Sequence, residues 1–128
     1  MQLCPCGLSQ PFAECCSVFI NNSQFAATPE QLMRSRYTAY TLANVAYIAR
    51  TMKAPAADNF DATSARQWAQ QVKWLKLDVI RAYQEGNVGY VEFKAHYFYQ
   101  HKKFLLHELS EFHQEHGQWF YVDGKVYA

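Results

Sequence analysis

A chain of 128 residues, half of them hydrophobic, has room for one compact domain with a real core plus a small N-terminal element, but not for two full domains. Its twelve basic and eleven acidic residues are well mixed and leave a formal net charge of +1, which offers no electrostatic footprint for nucleic acid or an anionic membrane surface. No apolar stretch reaches the roughly eighteen residues of a transmembrane helix, Met1-Gln2-Leu3 opens without a signal-peptide pattern, and the expected location is the cytoplasm, where thiols stay reduced.

Cys4-Pro5-Cys6-Gly7 and Cys15-Cys16 hold all four cysteines of the chain. A disulfide within either close pair would be forced far from its preferred geometry. A cross-bridge such as Cys4 to Cys15 would close only a short loop, worth roughly 3 kcal/mol. Four thiolates around zinc, each at about 2.3 Å, carry no such strain, and structural zinc contributes on the order of 10–16 kcal/mol. Cys4, Cys6, Cys15 and Cys16 are therefore the candidate metal ligands, with zinc as the cofactor; the alternative is a reduced or redox-active thiol cluster. Pro5 stiffens the first pair, and Gly7 permits a tight turn whose backbone N–H groups face sulfur. Residues Phe12 to Cys16 can form one helical turn that presents the second pair.

The Cys-Pro-Cys-Gly run, the aromatic Phe12 and the Cys15-Cys16 pair together resemble the SEC-C motif, the small zinc-binding element named for the SecA translocation motor. Leu8-Ser9 stands where that motif usually reads Ser-Gly. The resemblance implies zinc binding and, as in SecA-like proteins, a surface that docks a chaperone, a translocation component or the ribosome.

Beyond Cys16, the apolar residues Val18, Phe19 and Ile20 can pack under the cysteine element, and Asn21-Asn22-Ser23 signals a turn. The expected division is a zinc-binding element over 1–22 and an α+β domain over 23–128. Thr28-Pro29-Glu30-Gln31 combines an N-cap, a proline at the first helical position, an early acidic residue and a capping-box glutamine. The helix it opens should run to about Leu42. Asn44 can cap a second helix from Val45 to about Met52, before Pro55 ends the pattern. Residues 54–61 read as a loop, and Thr63 or Ser64 opens a third helix carrying Trp68 and Val72.

From Trp74 the period changes, because Leu75, Leu77 and Val79 alternate with Lys76 and Asp78. After a turn at Glu85-Gly86-Asn87, Val91, Phe93, Ala95, Tyr97 and Tyr99 share one face of a long strand, and Glu92, Lys94 and His96 the other. Turns at Gln100-His101-Lys102 and Glu115-His116-Gly117 bracket a third strand from about Phe104 to His113. A fourth strand, Trp119 to Val122, should end at Asp123-Gly124. Aromatics make up 16% of the chain, which favours a sheet-rich core. Helices first and an antiparallel meander afterwards predict an α+β fold with helices covering one face of a curved sheet.

Three segments extend the resemblance across the chain: residues Thr28 to Tyr40, Glu108-Leu109-Ser110-Glu111-Phe112, and residues Gly117 to Gly124. They are similar to the motifs of the YchJ family of bacterial proteins. That resemblance implies a cone-shaped antiparallel sheet covered by helices, like nuclear transport factor two and the cystatin-like folds. It also implies a SEC-C element at the N-terminus. Many members carry a second such element at the C-terminus, whereas this sequence ends at Ala128, so one zinc is expected.

On a helical wheel of about 100° per residue, Met33, Tyr37 and Tyr40 centre the apolar stripe of the first long helix. Arg36 falls inside the stripe, Arg34 lies on its flank and Ser35 points away. A buried arginine needs a charged or multiply accepting partner. Period two places Glu108 and Ser110 among apolar neighbours on the third strand, so Arg36 and Glu108 are expected to pair by a bidentate fork. Arg36, Tyr37, Glu108 and Ser110 either form a buried network that fixes helix-to-sheet register or line a pocket for a small molecule. His107 joins them only if the strand register slips by one, and Trp119 and Tyr121 are core or rim aromatics that could form a ligand wall or a dimer surface. The outer sheet face around Leu105, His107 and Leu109 is a candidate homodimer surface. Two functions follow: a non-enzymatic zinc-binding module that docks a protein partner through its SEC-C-like element, or a ligand-binding or catalytic cone.

Overall fold

In the computed structural model, which describes residues 2–22 and 24–127, the cysteine loop leads into a single 3-10 turn, Phe12–Glu14, and a short helix α1, Ser17–Ile20. The turn expected over Asn21-Asn22-Ser23, and with it the boundary between residues 22 and 23, lies partly outside the described residues. Helix α2 spans Pro29–Thr41 and starts as its capping chemistry predicts. The Thr28 hydroxyl accepts from the Gln31 amide at 3.1 Å, and the Gln31 side chain accepts from the Ala27 amide at 2.7 Å. Helix α3, Val45–Arg50, is capped by Asn44, whose side chain accepts from the Tyr47 amide. Residues Ala56–Asn59 form one 3-10 turn within the expected loop. Helix α4 covers Ala62–Gln71. Its cap is Asp61 and not Thr63 or Ser64, because the carboxylate reaches both of their N–H groups at once and is held below its usual pKa by those bonds.

Four strands follow: β1 Lys73–Glu85, β2 Val88–Tyr99, β3 Lys102–Glu115 and β4 Gln118–Val126. They form one antiparallel meander in sequence order, joined by two-residue turns. At two of those turns the chain takes the left-handed conformation, with φ of 50° and 67° at Gln100 and His101 and 52° and 82° at His116 and Gly117. The α+β class and the helix-covered sheet are as the sequence predicts. Three strands run longer than the alternation suggests, and bulges account for two of these extensions. Register shifts at Leu75 and Ile80 push both side chains outward, so that Trp74 pairs with Tyr97 and Leu77 with Ala95 on the inner face. A third shift, at Val122, carries β4 past Asp123-Gly124, where the sequence ended the strand, as far as Val126. Such bulges bend a strand, and the curved sheet they produce has a hollow inner side.

Helix α2 fills that hollow. Leu32, Met33 and Tyr37 pack on Val91, Phe93, Ala95, Phe112 and Trp119 of the sheet. A second layer lies behind α2, where Ala39 packs with Tyr47 and Ile48 of α3, Ile20 of α1 and all four cysteines. This second layer corrects the reading of Ser35 as an outward residue. Ser35 is fully buried, and its hydroxyl donates to the Leu32 carbonyl at 2.8 Å and meets the Tyr47 hydroxyl at 2.7 Å. Gly89 sets how close α2 can come, since a Cβ there would collide with the Pro29 ring and meet Trp119. Among the described residues no helix is long and apolar enough to cross a membrane.

Candidate metal centre and cavity

The cysteine loop closes through a bridge between Leu3 and Pro11 and a 2.8 Å bond from the Cys4 amide to the Gln10 carbonyl. Gly7, at φ 92°, reverses the chain after Cys6. The 3-10 turn then delivers Cys15, whose amide donates to the Phe12 carbonyl, and Cys16 caps α1. All four cysteines are buried, none forms a disulfide, and their sulfurs lie within 4.8 Å of one another. Tetrahedral zinc with bonds of about 2.3 Å requires sulfurs about 3.8 Å apart. The cluster, with Cys6 and Cys15 at 3.5 Å, fits that requirement and could hold a metal ion.

Neighbours of the ligands come from α2. The Thr38 hydroxyl donates to Cys16 Sγ at 3.4 Å and lies 3.7 Å from Cys4 Sγ, and Arg34 donates to the Cys6 carbonyl at 2.6 Å. Cys6 is drawn down to about 5, chiefly by a hydrogen bond from Cys16 and against its burial, with a further bond from the Leu8 amide. Cys15 is pushed up to about 12 by burial and by Cys6. Cys16 is pushed up most, first because it donates to Cys6 and then by burial. Such a set binds a divalent cation by exchanging protons for it.

On the other side of α2, between that helix, α4 and the inner sheet face, lies a half-open cavity of about 170 Å³. Its walls are mostly apolar and aromatic. Tyr37, Tyr40, Trp68 and Trp74 come from the helices and β1, and Phe93, Leu106 and Phe112 from the sheet. Trp74 stands edge-on to Tyr37 and to Trp68, with ring centroids 5.5 and 5.4 Å apart. Three polar groups enter this wall: Arg36, Glu108 with Ser110, and Tyr121.

Arg36 and Glu108 do not form the expected fork. Arg36 Nη1 instead donates to the Ile48 carbonyl at 2.8 Å and to Thr51 Oγ1 at 2.7 Å. These acceptors sit at the C-terminal end of α3, which carries partial negative charge, and the Ile48 carbonyl takes the capping Thr51 amide as well. The guanidinium also lies over the Tyr121 ring, 4.8 Å from its centroid. Glu108 is engaged elsewhere: its Oε2 accepts from the Ser110 hydroxyl at 2.6 Å and from the Tyr121 hydroxyl at 3.2 Å. Gly124 makes this possible, because a Cβ at that position would strike both the Tyr121 hydroxyl and the Glu108 carboxylate. Burial is the main influence on the buried phenols, raising Tyr37 to about 12 and moving Tyr121 further up, with Glu108 as the second cause for Tyr121.

Of the pocket residues named from sequence, Arg36, Tyr37, Glu108 and Ser110 border this one cavity. His107 does not. It lies on the outer face, bonded to Glu92 at 2.7 Å and packed against Tyr127, because the period-two register of β3 holds without a slip. Trp119 is also absent from it; the indole is fully buried and donates to the Ala27 carbonyl, locking the approach to α2. Tyr121, read from the sequence beside Trp119 as a core or rim aromatic that could wall a ligand, does border the cavity; Thr38 escaped the sequence reading. A run of small polar residues at positions 35 and 38 on one side of α2 was the available signal for a second packed face.

A helix-filled antiparallel cone preceded by a buried four-cysteine element defines the class of protein. The family model for YchJ, middle NTF2-like domain, matches residues 28–124, and the chain belongs to this family, with the SEC-C type of element at its N-terminus. A UPF0225 protein of Geobacter sulfurreducens is 38% identical over 125 residues, spanning 95% of this chain and 78% of the relative. One from Vibrio parahaemolyticus is 37% identical over 123 residues, spanning 94% and 73%. The solution structure of a SEC-C motif containing protein from Rhodopseudomonas palustris superposes with a TM-score of 0.90 at 33% identity, covering 99% of this chain and 100% of that one. A SEC-C motif protein from Psychrobacter arcticus gives 0.80 at 28% identity, covering 100% and 84%.

Because Arg36 and Glu108 are not an ion pair, Glu108→Gln should change stability by less than about 1 kcal/mol, as the amide oxygen still accepts from Ser110 and Tyr121. Urea denaturation checks this. Loss of about 3–5 kcal/mol, the cost of breaking a buried pair, would contradict the geometry.

Proposed function

We propose that the protein is a zinc-clamped cone that binds a small organic ligand in the cavity between α2, α4 and the sheet. One observation carries the reading: an aromatic hollow of about 170 Å³ has in its wall a guanidinium that is 7% exposed and has no carboxylate partner among the described residues. Close-packed interiors have few voids larger than a water molecule, and binding sites combine apolar walls with a few placed polar groups. Binding is favoured over catalysis by the bond that Ser110 makes. Its hydroxyl meets a carboxylate with no imidazole nearby, and a carboxylate is a weak base for an alcohol.

Zinc is the metal best suited to four buried sulfurs, and an all-thiolate site leaves no open position for chemistry. Its role is then to hold the N-terminal loop against α2. Four unbridged cysteines suit the reducing cytoplasm. A second reading, docking of a protein partner through the cysteine element, draws support from Leu3 and Leu8, which stand 59% and 44% exposed on that loop. Under it, Leu3→Ser with Leu8→Ser should remove specific partners from a pull-down, and an identical partner list from intact and altered protein counts against it.

Zinc uptake should reach one equivalent per chain and release protons, since Cys15 and Cys16 hold theirs in the metal-free state. Affinity should therefore rise with pH across roughly pH 6 to 8; pH-independent uptake in a competition titration would contradict thiolate ligation. Phenol should quench or shift the fluorescence of Trp68 and Trp74 in the zinc-loaded protein, and Ala95→Leu, which fills the cavity, should abolish the response. An unchanged response in the filled variant would place the binding elsewhere.

A further inference from the structure

Resting on the ligand-binding reading, we propose that the cavity selects a single-ring aromatic carboxylate that also carries a hydrogen-bond donor such as a ring hydroxyl. The acid group is fixed by Arg36. Only its Nη1 is engaged by the described residues, and both acceptors are neutral. Nε and Nη2 donate to no described residue, and Arg36 borders the cavity. A guanidinium presents such N–H groups as a planar fork, which matches the two oxygens of a carboxylate. Burial is the largest influence on this group and acts against its charge, so an incoming anion relieves a penalty already present in the empty site.

The donor is fixed by Glu108. Oε2 takes both the Ser110 and Tyr121 hydroxyls, whereas Oε1 accepts from no described side chain, and Glu108 lines the same cavity. A carboxylate there favours a ligand N–H or O–H. It also disfavours a doubly charged phosphate, for which the site offers a single arginine. Ring and size follow from the walls. Tyr37, Trp74, Phe93 and Phe112 present aromatic surface, and the volume, about 170 Å³, is close to the roughly 150 Å³ cavity that accommodates benzene in other proteins. Cation and anion are kept apart by the Tyr121 ring, which stacks under Arg36 while its hydroxyl reaches Glu108. The polarity of the hollow therefore runs from an acid-binding end to a donor-binding end.

Calorimetric titration of the full zinc-loaded chain with 4-hydroxybenzoate and with 4-hydroxybenzyl alcohol tests this. The acid should bind at least tenfold more tightly than the alcohol, and Arg36→Gln should reduce that preference to twofold or less while the alcohol still binds. Glu108→Gln supplies a second variant that leaves α3 untouched: in it, the advantage of 4-hydroxybenzoate over benzoate should fall at least threefold. Equal binding of acid and alcohol by the unaltered protein would overturn the inference and leave the ligand cavity standing. No binding of any of the three probes by folded protein would overturn both.

Discussion

Helix α2 is buried on two sides, and the rest of the molecule depends on that. One side faces the sheet through Leu32, Met33 and Tyr37; the other faces the cysteine element and α3 through Ser35, Thr38 and Ala39. A helix of a two-layer domain ordinarily turns its polar side to water. Here that side is covered by a loop of residues that has little apolar surface of its own. Burying four sulfurs and the hydroxyls of Ser35 and Thr38 is favourable only if the sulfurs hold their positions, since unpaired buried polar groups cost about 1–3 kcal/mol each. An ion bound by the thiolates supplies that rigidity on the proposed reading, with energy on the order of 10 kcal/mol.

The same helix ties the metal centre to the cavity. Thr38 touches Cys16, while Arg36 and Tyr37, two residues and one residue earlier, border the hollow on the sheet side. Arg36 also fastens α2 to the end of α3, whose Ile48 packs among the cysteines. Position of the guanidinium, and with it the acid-binding end of the cavity, is thus set jointly by the sheet, by α3 and by the sulfur cluster.

Much of the architecture was legible because it is written in local chemistry. Cysteine spacing, the Thr28-Pro29 and Asn44 caps, and the alternation of β2 and β3 each depend on residues a few positions apart. What stayed hidden depends on partners distant in sequence. The bulges at Leu75, Ile80 and Val122 break the period locally and read as strand ends, although the strands continue. Ser35 appeared exposed because a helical wheel marks an apolar side but not a second layer of protein on the polar side. Arg36 was correctly placed on a buried face and wrongly paired, since the competing acceptors are backbone and hydroxyl groups at the end of α3, which no residue pattern announces. Gly124 read as a strand end for a similar reason: its need for no side chain comes from Glu108 and Tyr121, which no local pattern announces.

Amide hydrogen exchange of the zinc-loaded protein, before and after chelation, bears most directly on the claim that sulfur-bound metal anchors the central helix. Loss of protection at Ser35, Thr38, Ala39 and Ile48, together with the cysteine loop, is the expected result. Faster exchange confined to residues 2–22, with α2 and α3 unchanged, would contradict it and reduce the element to an appendage.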